Sequence, residues 1–208
     1  MKNKIFLFIL LSMLLMSCKS EKDDSSSMIQ EENDIISYES TESSQKTEEE
    51  NKEEFLDKYN TLLTSIDLLN SCSDFVAEIH KIIWKNVGPD KISQYLEWIR
   101  DPERNGGLIC IALDISMTKK EEAIEIGKKY NETLKMMDIV SSTNDDIFKD
   151  INNNYNYNID DIKEYYLESS LYAEYARGVE GSYSSYSQAL DDYKKTIAKN
   201  KKAAEIAY

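Results

Sequence analysis

Between Lys52 and Val87 the apolar positions recur on alternating steps of four and three. Phe55, Tyr59, Leu62, Ile66, Leu69, Val76 and Ile83 carry the stripe, and Ser73 and His80 are its polar members. Leu56, Leu63, Cys72 and Ile79 widen it to the three-sevenths face that a bundle helix buries. Neither glycine nor proline intervenes before Gly88-Pro89. The pattern therefore predicts one helix of about 35 residues, roughly 50 Å long at the helical rise per residue. Asp90 can cap a short helix over Ile92, Tyr95, Leu96, Trp98 and Ile99. The segment Asp101-Pro102-Glu103-Arg104-Asn105-Gly106-Gly107 reads as a loop, the strongest break in the chain. Leu108 to Leu113 has the composition of a buried strand, but no second strand candidate exists to pair with it, so helix is the better reading.

A further helix is expected from Thr118 as cap, with Glu121 three residues on and Ala123, Ile126, Tyr130, Leu134, Met137 and Val140 on one side. It continues through Ile147, Phe148 and Ile151 until the asparagine-rich stretch Asn152 to Asn158 ends it. The next helix runs from Ile159 to Arg177 on Ile159, Ile162, Tyr166, Ser169, Ala173 and Ala176. After the turn Gly178-Val179-Glu180-Gly181, Ser182 can cap a last helix whose seam is Tyr183, Tyr186, Leu190, Tyr193 and Ile197. The expected fold is all-α: an elongated bundle of four or five helices over residues 52–208.

Ahead of that body the periodicity is gone. Residues 18–51 are rich in Ser, Thr, Glu, Asp and Gln, with Met28, Ile29, Ile35, Ile36 and Tyr38 as the sizeable apolar side chains. So little apolar surface cannot offset the entropy of ordering, and the expectation is a disordered acidic tether. At coil dimensions it gives the body a reach of about 30 Å. Ile35-Ile36-Ser37-Tyr38 is the one stretch of the tether that could act as a short binding motif, although single apolar patches are common in polar tethers.

The first 17 residues differ again. Lys2 and Lys4 precede an apolar run from Ile5 to Met16, the layout of a secretory signal and too short to remain as a membrane span. It ends in Leu15-Met16-Ser17-Cys18, which resembles the lipobox of bacterial lipoproteins. The resemblance implies that residues 1–17 are removed, that the Cys18 thiol carries a diacylglyceryl group, and that the mature chain is held at a membrane on its extracytoplasmic side. Farther on, Gly181-Ser182-Tyr183-Ser184-Ser185-Tyr186-Ser187, followed by Asp191, Asp192 and Tyr193, is similar to a helical region of uncharacterised surface lipoproteins of low-GC bacteria. That likeness covers residues 52–202 and implies a helical bundle and no particular activity.

Charge narrows the partners. The chain has a formal net charge of −14, and loss of Lys2 and Lys4 with the leader takes it to about −16. So acidic a body argues against a nucleic-acid partner and against lying flat on an anionic bilayer, which leaves the lipid on Cys18 as the membrane contact. Besides Cys18 there are only Cys72 and Cys110, both in apolar helical patterns. They are expected as buried small hydrophobes, a disulfide between them being the alternative that an extracytoplasmic location allows.

Candidate chemistry is sparse. His80 is the only histidine and lies on the first helix's stripe, so no cluster of imidazoles can form a zinc site. Gly106-Gly107 lacks the lysine and the preceding strand of a phosphate loop. No cofactor is expected. One constellation has cation-ligand spacing: Asp150, Asn152, Asn154, Asn156, Asn158 and Asp161 occupy positions one, three, five, seven, nine and twelve of an EF-hand-like loop. Against it, Tyr155 stands where glycine makes the turn, Asp161 replaces a longer glutamate, and only two of the six are charged. The chain's fourteen tyrosines are concentrated from Tyr155 onward. Tyr165, Tyr172 and Tyr175 could line a face whose rings pack and whose hydroxyls stay wet, suited to a protein partner, or simply fill helix seams. The expected role is a non-catalytic, lipid-anchored protein presenting a binding surface to a protein or host partner. The rivals are a lipoprotein that binds a ligand or cation at residues 150–161 or in a groove between helices, and a degenerate enzyme.

Overall fold

The computed structural model describes residues 47–208. The leader, Cys18, the tether and the Ile35-Ile36-Ser37-Tyr38 stretch lie outside the described residues. Among the described residues all regular structure is helical: α1 Glu48–Val87, α2 Ile92–Trp98, α3 Pro102–Leu113, a 3-10 turn Met117–Lys119, α4 Lys120–Asn154, α5 Asp160–Arg177 and α6 Tyr183–Ile206. The all-α expectation holds, with four long helices and two short ones.

Every other helix packs on α1. Its stripe is the core: Phe55, Tyr59, Leu62, Ile66, Leu69, Ser73, Val76, His80 and Ile83 are all buried. α4 runs antiparallel to it, with Asp150 paired to Lys58 near one end and Tyr130 against His80 toward the other. α5 runs parallel to α1, bringing Tyr165 to Asn70 and Tyr172 to Asp74. α6 returns antiparallel to both, so that Tyr59 meets Ala204 while Asp74 meets Lys194. The backbones of α4 and α6 stay apart, so the last helix docks mainly on α5 and α1.

Where the chain departs from its periodicity, local chemistry explains the difference. α1 begins at Glu48, four residues before Lys52, because Thr47 and Glu50 form a reciprocal cap. The Glu50 amide donates to the Thr47 hydroxyl at 3.2 Å, and the Thr47 amide donates to the Glu50 carboxylate at 2.8 Å. Glu48, Glu49 and Glu50 fill the first turn, where the helix dipole favours negative charge. Charges that look like tether are a helix start. At the far end Gly88 adopts φ 79° with an extended ψ, a positive-φ conformation that suits glycine and stops the helix.

The expected loop at Asp101 to Gly107 is instead the first half of α3. Pro102 sits at the first helical position, where its fixed φ fits and its missing N–H costs nothing. Gly106 is a contact residue and not a break: a Cβ there would lie 2.8 Å from Ile124 Cγ1. Gly127 answers it from α4, where a Cβ would lie 2.6 Å from that of Pro102. Thr118 is not the cap of α4. It lies in the 3-10 turn, its amide donating to Ser116 Oγ at 3.4 Å, and α4 starts at Lys120. Ser182 does cap α6 as expected, its hydroxyl accepting from the Ser185 amide at 3.1 Å. The α6 seam buries Tyr186, Leu190 and Ile197, then continues through Asn200 and Ala204, while Tyr183 stays exposed and Tyr193 half-buried. Cys72 and Cys110 are free thiols, the second buried.

Candidate functional site

The asparagine-rich constellation does not have the course of a calcium loop. Asp150, Asn152 and Asn154 lie in the last turn of α4, and Asp161 lies in the first turn of α5. Only residues 155–159 are outside the helices. Asp150 is already committed, accepting from Lys58 and, at 2.6 Å, from Asn154 Nδ2, while Asn158 Oδ1 accepts from the Asp160 amide at 2.9 Å. Asn156 is exposed in the connection. Among the described residues no group of three or more His, Cys, Asp or Glu side chains is placed to hold a metal ion. Tyr155 and Tyr157, beside these asparagines, pack on Phe55 at 5.7 and 4.4 Å between ring centres, so the segment works as an aromatic end cap of the bundle.

The tyrosine face is corrected in part. Tyr165 and Tyr172 are buried, because α5 is packed on both α1 and α6 and the two rings fill the seam between them. The predicted stripe put Tyr166 there; Tyr166 instead stacks on Phe148 of α4 and donates to Asp145. Tyr175 is half-buried against Tyr186 and Tyr193, 5.5 and 5.4 Å between ring centres.

Burying those two rings creates the chain's candidate site, a groove of about 450 Å³ between α1, α5 and α6. It is built from three pairs of residues, each pair seven apart on its own helix. Asp67 and Asp74 come from α1, Tyr165 and Tyr172 from α5, and Lys194 and Lys201 from α6. Because α5 is parallel to α1 and α6 antiparallel, the pairs assemble into two similar rungs. In one, Asp67 accepts from the Tyr165 hydroxyl at 2.5 Å and from Lys201 at 2.6 Å. In the other, Asp74 Oδ1 accepts from the Tyr172 hydroxyl and pairs with Lys194 at 2.9 Å.

The electrostatics fix the proton positions. Burial, then the carboxylate beside it, pushes each of Tyr165 and Tyr172 well above the ordinary phenol pKa, so both hydroxyls stay protonated and donate to the aspartates. Burial is the largest single influence on Lys201 and lowers its pKa, but the hydrogen bond and charge of Asp67 together with Glu205 outweigh it, and the net shift is upward. Asn70 lies between the rungs. Its amide nitrogen donates to the Tyr165 hydroxyl at 3.1 Å and to Ser169 Oγ at 3.0 Å. With the only Tyr165 proton given to Asp67, Tyr165 can only accept from Asn70. The amide orientation is thereby set, and Asn70 Oδ1 is left buried without a hydrogen-bond partner.

His80 occupies a separate buried network. Its Nε2 lies 2.8 Å from the Tyr130 hydroxyl and its Nδ1 lies 3.4 Å from that of Tyr186. Burial depresses its pKa to about 4, which holds it neutral near pH 7. No helix among the described residues is long and apolar enough to cross a membrane. Compared with known protein families, curated proteins and solved structures, the chain has no match.

Asp67, Asn70, Asp74, Lys194 and Lys201 carry no sign of this role when each helix is read alone. The seven-residue spacing within each pair is visible in the sequence. The register that makes two rungs of three pairs depends on how three helices dock.

Proposed function

We propose that the chain is a lipid-anchored, extracytoplasmic lipoprotein whose helical body binds a protein partner without catalysis. The observation that carries this reading is Leu15-Met16-Ser17-Cys18 directly behind a basic, apolar leader. The body's surface supports the second half. Leu167 and Leu171, on adjacent turns of α5, are each about half exposed, an apolar pair with Tyr175 one turn further along. The non-catalytic part rests on His80, which is buried, hydrogen-bonded and neutral at the bundle centre. Metabolic labelling with a radioactive fatty acid tests the anchor. Label is expected on the native chain and absent from Cys18→Ser; label retained in the variant overturns the reading.

A second reading, a ligand-binding lipoprotein, is favoured by one specific observation. The groove of about 450 Å³ between α1, α5 and α6 is lined by carboxylates, ammonium groups and the Asn70 side chain.

A further inference from the structure

The outward side of α5 carries a short ordered row. Lys163, Leu167, Leu171 and Glu174 follow one another at steps of four, four and three, so they stand turn above turn on one side of the helix. That side is opposite the buried seam of Ile162, Tyr165, Ser169, Tyr172 and Ala176, and all four residues are exposed, the two leucines by about half. Neither Lys163 nor Glu174 has an ion-pair partner among the described residues. The row reads basic, apolar, apolar, acidic, with both charges uncommitted.

Such a row is its own complement when reversed. Turned end for end about the midpoint between its leucines, a second α5 sets Leu167 on Leu171 and Leu171 on Leu167, and twice brings Lys163 within one residue of the level of Glu174. A parallel second copy would set lysine against lysine and glutamate against glutamate. Glu164 comes level with the other copy's Glu174, and Lys163 beside it offsets that like charge. The leucines supply apolar burial, and the charges fix which way round the copies meet.

The neighbouring helix extends the relationship. α6 lies antiparallel beside α5, with Asn200 Nδ2 reaching the Glu164 carbonyl oxygen at 3.5 Å and the Tyr186 hydroxyl that of Ala176 at 3.3 Å, so the α5 midpoint is level with Lys195. About that point Asp192 of one copy is level, within one residue, with Lys199 of the other. Both are exposed and seven apart, on the side of α6 away from its buried seam. Lys199 has no ion-pair partner among the described residues, and Asp192 uses only Oδ1 for Gln188 and Lys195, leaving Oδ2. Charges on two helices thus match about one axis, an arrangement that a partner of unrelated sequence does not call for.

We propose that the α5–α6 face docks on the same face of a second copy of the chain, antiparallel, as a symmetric dimer centred between Leu167 and Leu171. The row is about 16 Å long along the helix axis. That is a contact at the small end of specific interfaces, so the dimer forms at micromolar to millimolar concentration. The proposal rests on the reading that the body binds a protein, and names that protein as this chain; it does not depend on the lipid.

Sedimentation equilibrium of the full chain in density-matched detergent, up to millimolar protein, tests it. A monomer–dimer equilibrium is expected. Leu171→Gln should weaken the dimer about tenfold or more. Circular dichroism should be unchanged by that substitution, since the side chain lies outside the core. Lys163→Glu should weaken the dimer several-fold by setting it against Glu174, and adding Glu174→Lys should restore it, because the swap re-forms both pairs. A chain monomeric throughout overturns the proposal and leaves the anchor, which the fatty-acid label tests alone. A dimer indifferent to Leu171→Gln, or a double charge swap no tighter than Lys163→Glu, also overturns it.

Discussion

His80 Nε2 and the Tyr130 hydroxyl are 2.8 Å apart with both side chains buried, and this pair joins α1 to α4 at the bundle centre. A neutral imidazole can accept there. A protonated one cannot, and Tyr130 would then need another acceptor. The folded chain holds His80 at a pKa of about 4 against 6.5 for the free side chain, burial being the main cause.

The unfolded chain therefore binds a proton at a higher pH than the folded one. This contribution to stability is fully present above about pH 6.5 and is lost as pH falls toward 4, to a total of about 3 kcal/mol at 1.36 kcal/mol per unit. Urea unfolding at a series of pH values should show it, and His80→Gln should remove the slope in that window. A variant that loses stability between pH 6.5 and 4 as steeply as the native chain would place the titration elsewhere.

Two glycines in the same pair of crossing helices should respond oppositely to alanine. A Cβ at Gly127 would meet Pro102 Cβ at 2.6 Å and the Ile99 carbonyl oxygen at 3.3 Å, and neither can move aside without shifting the α2–α3 connection and the start of α3. Gly127→Ala is expected to cost about 1–3 kcal/mol as overpacking. At Gly107 the nearest atom is the terminal methyl of Met117 at 3.2 Å, on an exposed and flexible side chain. Gly107→Ala should stabilise by about 0.4–1 kcal/mol through reduced unfolded-state entropy. Chemical denaturation measures both, and a stabilising Gly127→Ala would show that the α3–α4 crossing is looser than described.

Those glycines also mark how far the sequence is legible. Gly106 and Gly107 beside a proline have the composition of a loop, and only the closeness of α4 turns Gly106 into a helical contact residue. The α1 stripe is the opposite case. Its nine positions are buried as the period predicts, Ser73 and His80 included, because α1 keeps a solvent-exposed face at Asn60, Thr64, Ser71 and Glu78 and its period alone fixes which positions lie opposite. For α5 the period fails to choose between Tyr165 and Tyr166. Both lie near the apolar arc, and contact with two helices rather than one decides which is central. The groove was hidden for the same reason: no single-helix pattern contains the register of α6 against α1.

Thr47 offers a local check on where the folded body starts. Thr47→Ala removes the side chain that accepts from the Glu50 amide and should cost about 0.5–2 kcal/mol, confined to the first turns of α1. Amide hydrogen exchange should show faster exchange up to about Phe55 and unchanged protection beyond Leu62. Unchanged exchange throughout would mean that the acidic run before Lys52 has no part in the helix.

The last helix gives the sharpest test of register. Leu190 is 2 % exposed at the middle of the α6 seam, and truncating it to alanine leaves a cavity that should cost about 2–5 kcal/mol. Asp191, one position on, is exposed, and Asp191→Ala should change stability by less than about 0.5 kcal/mol. Lys194 is a third kind of position. It is solvent-facing but reaches across to Asp74 at 2.9 Å, so Lys194→Ala should cost up to about 1 kcal/mol, and less in high salt as the charges are screened. Repeating Lys194→Ala in an Asp74→Asn background isolates the pair, because the loss should shrink once the carboxylate is gone. Denaturation of the native chain and the five variants, Asp74→Asn alone included, at low and high salt supplies the numbers. Equal small losses for Leu190 and Asp191 would make α6 peripheral to the bundle, and the groove beneath it would then lack the rigid third wall that places Lys194 and Lys201 opposite the aspartates.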